Sequence, residues 1–594
     1  MFTKHFRFSL PHFLLVLIFL SSIFAVPPVY AAPITVTNTN DSGAGSLRQA
    51  ITNAAPGDTI TFDSPLSGQT IILASTLVIN KNLTIDGSSL FSKISISGNN
   101  SVRVFSVSAS VIVEIDSLII KNGRVFETNG AGIYNAGTLT ITDSVFSANN
   151  AVVNPYAVGI GEGSAIYNQG DLAILRSTFN NNTASRGGAI SCYAGAMLVS
   201  DSTFLSNSAV SDAAGAIFDY CDSLIINSTF SSNTAATSGG AVLTDNDINP
   251  IGIVNSTFHN NTALSGGGIA NYGELSVNNS TFSNNNASNG GALRNGLGGV
   301  LSLANSILAN SVGGVDCNKS DGAPDIENIN NLIESTSPSL ESCGTSLLTS
   351  DPMLGPLQDN GGFTKTMALL PGSPAINTGD DATCQANDQR GVTRPEGTHC
   401  DIGAYEYTSP TFSDVPQDQW ARSYIERLYG AGITQGCSIN PLRYCPENIV
   451  TRDQMAIFLL RGIHGAAYTP PNVAGNTGFD DVPPDHWAAA WIKQLAAEGI
   501  TSGCGSSNYC PDFAVTRDQM AVFLLRAKHG SGYTPPEGTG IFGDVPDGYW
   551  TEDWIEQLAE EGITSGCGSG NYCPTVPVTR DQMAVFMVRT FSLP

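Results

Sequence analysis

Between residues 110 and 310 apolar and polar residues alternate in short runs, as in LTITDSVF from Leu139 and LSVNNSTF from Leu275. A period of two predicts strands with one buried face. Within these runs an apolar residue is followed three places later by Asn: Ile119 with Asn122, Phe146 with Asn149, Phe179 with Asn182, Phe204 with Asn207, Phe230 with Asn233, Phe258 with Asn261, Phe282 with Asn285 and Ile307 with Asn310. A second phrase of small residues before an aliphatic one falls between them, at 187–190, 214–217, 239–242, 266–269 and 290–293. The recurrence at about 25 residues is that of a solenoid. Ser, Thr, Asn and Gly are poor helix formers, so the rungs are made of strands. The prediction is a right-handed parallel β-helix over 32–407, with Phe and Ile stacked inward, Gly at corners and Asn forming a ladder where left-handed backbone is tolerated. At its N-terminal end GSLRQAITNA reads as a short helix capped by Ser46 and burying Leu47 and Ile51.

The periodicity then changes. Three copies of one phrase, over 412–465, 479–530 and 542–594, each begin F-x-D-V, pass a Trp and a helical stretch, turn at GIT, and reach VTRDQM before a second helix. Trp487, Trp491, Ile492 and Leu495 share one helical stripe, and Met520, Phe523 and Leu524 another. Thr516 and Gln519 have the spacing of a capping box. The expected fold class is therefore mainly β, a parallel β-helix followed by a small all-α module of three repeats.

Lys4 and Arg7 precede an apolar run from Phe13 to Val26, and Val29-Tyr30-Ala31 offers a cleavage site, so 1–31 reads as a secretory signal peptide. That run is shorter than the roughly 20 residues of a membrane span, and no later segment is expected to cross a membrane. A net charge of -25 excludes nucleic acid as a partner. The twelve cysteines lie in the exported part as near neighbours, which predicts disulfides joining Cys192 to Cys221, Cys317 to Cys343, Cys384 to Cys400, Cys437 to Cys445, Cys504 to Cys510 and Cys567 to Cys573. Histidines cluster nowhere, and neither a metal nor a cofactor is expected.

Catalysis on a β-helix needs paired carboxylates for hydrolysis, or a basic residue for removing a proton beside a uronate. Three places before the apolar column stand Asp116, Asp143, Arg176 and Asp201, the strongest catalytic candidates. The column continues as Asn227, Asn255 and Asn279, which favours a ladder of turn residues instead. Asp219 and Asp222 form a weaker pair, read as an exposed turn beside a disulfide.

The GGAI and FxxN phrases resemble the repeats of polymorphic outer-membrane proteins and, more broadly, the β-helix repeat proteins of bacterial surfaces, from about Ile34 to Tyr407. The segment DNGGFTKTMALLPGSPAINTGD with DQRGVTRPEGTHCDIGAYE resembles their terminal cap. The three C-terminal phrases resemble the S-layer homology domain. That resemblance implies a pseudo-threefold bundle whose grooves bind cell-wall polysaccharide, with Arg452, Arg517 and Arg580 facing the ligand and Trp420, Trp487, Trp550, Asp414, Asp481 and Asp544 in support. The chain departs from the family in reading TRDQ for TRAE and in bracketing one loop with two cysteines.

Each arginine also stands at a helix start, where the macrodipole disfavours a cation. An anionic ligand would compensate this cost, and so would pairing with Asp453, Asp518, Asp581 or the Asp of F-x-D-V. The tryptophans read equally as core anchors or sugar platforms. The expected function is a secreted, non-catalytic surface protein, a β-helix ectodomain for adhesion or glycan binding held to wall polysaccharide by its C-terminal module. The alternative is an envelope-tethered polysaccharide lyase or hydrolase.

Overall fold

The computed structural model describes residues 34–151, 161–245, 250–336, 343–344, 346–473 and 475–593, so the leader lies outside the described residues. The chain divides after Thr408 into two compact units.

The first unit is a parallel β-helix. Its rungs stack three long sheets of 12, 11 and 10 strands and a shorter one of five. One rung shows how the sequence makes them. Asp171–Leu175 joins the 12-stranded sheet, Arg176 turns the corner, Thr178–Asn180 joins the 11-stranded sheet, and after Thr183–Ala184 the strand Ile190–Cys192 joins the 10-stranded sheet. Corner residues Asp143, Arg176, Asp201, Asn227, Asn255, Asn279 and Asn305 have φ of 45–52°. Asn and Asp tolerate this left-handed conformation better than other side chains.

Phe146, Phe179, Phe204, Phe230, Phe258 and Phe282 form the inward column, their rings parallel with centroids 4.6–4.8 Å apart. The column continues through Ile120 and Leu308, not Ile119 and Ile307, because Phe146 pairs with Ile120 and Phe282 with Leu308. Both end rungs offer two adjacent aliphatic residues, and in a strand a shift of one residue reverses the face.

Beside the Phe column Asn149, Asn182, Asn207, Asn233, Asn261 and Asn285 are buried, and the Nδ2 of each of the first five donates to the Oδ1 of the next rung at 2.9–3.0 Å. Each receiving Oδ1 also accepts the backbone N–H of the preceding asparagine. The left-handed residues there are Ala148, Asn181, Ser206, Ser232, Asn260 and Asn284, one place before the ladder. Serines 144, 177, 202, 228, 256, 280 and 306 form a further ladder in which each backbone N–H as far as Ser280 donates to the next rung's Oγ, and that of Ser306 donates to Asn331 Oδ1.

A short helix α1 (Leu47–Asn53) closes the N-terminal end, with Ser46 accepting from the Gln49 N–H and Leu47, Ala50 and Ile51 buried. At the other end the chain folds back along the corner column. Asn255 donates to the Asn387 carbonyl, Asn305 to that of Asp380, and Gln389 bridges Thr229 and Thr257. This returning segment covers the Asn members of the column. Asp143 and Arg176 remain part exposed.

The second unit holds six helices among its described residues: α2 (Arg422–Gly430), α3 (Arg452–His464), α4 (Ala489–Ala497), α5 (Arg517–His529), α6 (Glu552–Glu560) and α7 (Arg580–Phe591). The long helices α3, α5 and α7 meet one another, and each short helix packs on the long helix of the preceding repeat, with α2 closing the ring on α7. The core beneath is aliphatic and aromatic, including Met455, Leu459, Met520, Leu524, Met583 and Phe586.

Candidate functional site

The starts of the long helices are built across repeat boundaries. Thr451, Thr516 and Thr579 stand at the cap with extended backbone, but their side chains make no capping bond, so the capping box expected at Thr516 and Gln519 does not form; the Gln519 N–H donates to Asp518 instead. Neighbouring carbonyls take the first two donors: the Arg517 and Asp518 N–H groups donate to Val576 and Pro574 of the next repeat. The threonine hydroxyl instead bonds the carboxylate two residues on, as Thr516 does with Asp518.

Arg452, Arg517 and Arg580 are only 5, 4 and 6 % exposed. Each Nε donates at 2.8 Å to the carbonyl of a tyrosine in the following repeat, Tyr509, Tyr572 and Tyr444 respectively. Each guanidinium lies over that tyrosine's ring at 4.7–4.9 Å, and over Phe523, Phe586 or Phe458 at 5.4–5.7 Å. Burial pushes the arginines below their ordinary pKa and the tyrosine hydroxyls above theirs. The partner of each Nε is thus a carbonyl and not a carboxylate, and the π faces of the aromatic rings offset the cation's position at a helix start. One donor stays unused: Nη2 of Arg452 and of Arg580 is buried without a partner. In the second repeat Nη2 of Arg517 reaches Thr564 at 3.4 Å.

Trp420, Trp487 and Trp550 are 50, 61 and 62 % exposed, so they are not core anchors. Trp420 Nε1 donates to Asp581, the residue after Arg580, at 2.9 Å. An exposed indole of one repeat therefore adjoins the arginine start of another. The inward aromatics are Trp491 and Trp554, half-buried beneath Arg461 and Arg526.

Asp414, Asp481 and Asp544 are committed to the fold. Each accepts two backbone N–H groups at 2.7–2.8 Å, from Tyr444 and Cys445, Tyr509 and Cys510, and Tyr572 and Cys573. They hold the tyrosine that holds the arginine. All six expected disulfides are formed. Three of them close the loop each of these aspartates grips.

In the β-helix Arg176 makes a bidentate contact with Asp143, 3.0 Å from Nε and 2.7 Å from Nη2, and this hydrogen bonding raises the arginine above its ordinary pKa. A proton acceptor needs the opposite shift. Asp201 bonds the hydroxyl of Ser200. Asp116 precedes the corner, which Ser117 makes in that rung, so it does not extend the column. Asp219 is fully buried, not an exposed turn residue. It stands in an in-register polar column with Asn168, Cys192, Thr244 and Asn271. Its Oδ1 accepts from the Cys221 N–H and the Ser223 hydroxyl, and burial pushes its carboxyl up to about 7.

Sequence reasoning missed one cluster on the 10-stranded side. Glu162, buried and raised by desolvation, lies 3.5 Å from Arg186, which also pairs with Asp212 and lies over Phe218. Tyr134, Tyr167, Tyr193 and Phe218 stack in succession beside it. Tyr134, Tyr167 and Phe218 are mid-strand residues of the 10-stranded sheet, and the repeated I-Y-N of 133–135 and 166–168 is the signal that could have marked them.

Comparison with known proteins accounts for the repeats. The S-layer homology domain matches residues 411–456, 478–521 and 541–584. The chain carries three S-layer homology domains. The Chlamydia polymorphic membrane protein repeat matches 176–193 and 227–245. Among curated relatives, an amylopullulanase of Thermoanaerobacterium thermosulfurigenes is 26% identical over 36% of this chain and 11% of its own length. A cellulosome-anchoring protein of Acetivibrio thermocellus is 24% identical over 24% and 32%, and the S-layer protein EA1 of Bacillus anthracis 26% identical over 30% and 20%. The chain thus spans a third or less of the length of these relatives. Among solved structures, pectate lyase Pel9A is 15% identical, with 64% of this chain and 97% of that one covered at a TM-score of 0.40. No helix of the described residues is long and apolar enough to cross a membrane.

Proposed function

We propose that this is a surface protein of the bacterial envelope, held by its three S-layer homology domains to an acidic wall polysaccharide and displaying the β-helix as a non-catalytic adhesion or glycan-binding ectodomain. The anchoring half rests on one recurring arrangement, an exposed tryptophan in each repeat and a buried arginine at each boundary, with Trp420 bonded to the residue after Arg580. A sugar ring stacks on the indole, and its acid group takes the unused Nη2 of Arg452 or Arg580. The Asp414, Asp481 and Asp544 carboxylates position the arginines through the tyrosines. Three weak sites on one polymer add through effective concentration.

Because the indoles are exposed, removing them leaves the core intact. The triple variant W420A/W487A/W550A is expected to leave isolated cell walls in a pull-down while its circular dichroism is unchanged, and single variants to leave less completely. Retention of the triple variant equal to wild type would overturn the anchoring proposal.

The rival reading is an envelope-tethered polysaccharide lyase or hydrolase. Asp143, Arg176 and Asp201 support it poorly, since the arginine is paired and raised. Glu162 favours it more, as a carboxyl raised by burial beside the ionic pair of Arg186 and Asp212. Turnover of any wall or plant polysaccharide by the full chain, lost in E162Q, would establish this reading in place of the first.

A further inference from the structure

A cavity of about 500 Å³ lies on the outer face of the 12-stranded sheet, far along the chain from the clusters above. Its origin is a change of side-chain size in one column. Leu198, Leu224, Gly252, Ser276, Ser302 and Glu327 stand in register on successive strands, so the two leucines give way to small residues and open a trough. One wall is the returning segment 382–385. Asn278 Nδ2 fastens it to the Thr383 carbonyl at 2.7 Å, Asn305 to the Thr383 hydroxyl at 3.1 Å, and Asn279 Oδ1 accepts from the Gln385 N–H. The disulfide from Cys384 to Cys400 stiffens it.

The charged side chains that line this space are all carboxylates. Asn278 is 4 % exposed, and with its Nδ2 used on the wall its Oδ1 is buried with no hydrogen-bond partner. A buried acceptor left unmade is costly, and a donor brought by a ligand relieves it. Glu274 and Glu327 add carboxylates, and Ser302 donates to Glu327 at 3.2 Å. Asp325, also on the rim, is already paired with Lys319 at 3.0 Å. Val300, Ala304 and Ile329 supply apolar edges. The volume falls within the range of small-molecule sites.

We infer that this trough is a binding site for a non-acidic saccharide, with an amine-bearing hexosamine segment bound best. Hydroxyl or ammonium groups donate to Asn278 Oδ1, Glu274 and Glu327, and the C–H face of the ring meets the apolar edges. Uronic and pyruvylated sugars are repelled by the carboxylates, so this site and the C-terminal one select sugars of opposite charge. The inference rests on the ectodomain half of the proposed function and not on the anchoring half.

The test is calorimetric titration of the full chain, in EDTA, with oligosaccharides of glucosamine, glucose and galacturonic acid. Glucosamine oligomers are expected to bind most tightly, glucose oligomers more weakly and galacturonate oligomers not at all. S276W fills the trough without removing a hydrogen bond and is expected to abolish binding at unchanged melting temperature. The isosteric pair E274Q/E327Q is expected to weaken glucosamine binding about tenfold, as for loss of charge-assisted hydrogen bonds. Absence of saturable binding, binding that survives S276W, or galacturonate bound as tightly as glucosamine would overturn the inference. Binding seen only when EDTA is omitted would overturn it in favour of a cation site. Wall retention lost in the tryptophan triple variant with glucosamine binding intact keeps the two proposals distinguishable.

Discussion

Arg452 and Tyr509 exchange two hydrogen bonds across the boundary between the first and second repeats: the arginine Nε donates to the tyrosine carbonyl at 2.8 Å, and the tyrosine hydroxyl donates to the arginine carbonyl at 2.7 Å. The same exchange joins Arg517 with Tyr572 and Arg580 with Tyr444, so it closes the ring of three repeats.

Arginine replacement should therefore cost stability as well as binding. R517A leaves the Tyr572 carbonyl unpaired and empties the space between two rings, and is expected to destabilise the module by roughly 2–4 kcal/mol in urea unfolding. An R517A variant as stable as wild type would show the exchange to be incidental. W550A, at an exposed site, is expected within about 0.5 kcal/mol of wild type.

Asp219 predicts a pH dependence. Its carboxyl is held at about 7 against 3.8 for the free group, so between those values the folded protein binds more protons than the unfolded chain. Stability from this group is present below pH 3.8 and lost as pH rises through 7. D219N keeps the acceptor for Cys221 and Ser223 and cannot ionise. It should be more stable than wild type at pH 8 by roughly 2–4 kcal/mol, with the advantage vanishing near pH 4. Equal melting temperatures at pH 8 would refute this.

The asparagine ladder is continuous, so a break at its centre strands groups on both sides. In N207L, Asn182 loses its acceptor for both side chain and backbone, and the Phe179 carbonyl loses its donor. A loss of roughly 2–4 kcal/mol is expected by denaturant titration. N40L, in the exposed entry turn, serves as the control and is expected to change stability by less than about 0.5 kcal/mol.

The disulfides from Cys504 to Cys510 and from Cys567 to Cys573 each close a loop of six residues, for which chain entropy gives roughly 2 kcal/mol. Mild reduction is expected to lower the melting temperature of the C-terminal module and to loosen wall retention, because Asp481 and Asp544 grip the same loops. Non-reducing peptide mapping that found links between repeats would contradict the pairing.

Local pattern carried the architecture. Alternating residues of period two, with Phe and Asn at a fixed offset, determined that the chain forms stacked strands, since a face of Phe146, Phe179 and Phe204 can be buried only by its own copies. The period of the three C-terminal phrases determined the helices in the same way. What one sequence leaves open is any choice between neighbours of equal polarity. Ile119 and Ile120 are equally apolar, and only pairing with Phe146 decided which faces inward. Arg452 reads as a surface cation, and only the ring of repeats put Tyr509 and Phe523 around it. Asp219 and the Gly252 trough depend on residues brought into register from rungs of unequal length, and on a segment returning from more than a hundred residues away. Hydrophobic period is a property of nearby residues and survives in the sequence. Desolvation, unpaired acceptors and cavities depend on what the rest of the chain places around a side chain, which the tertiary structure alone decides.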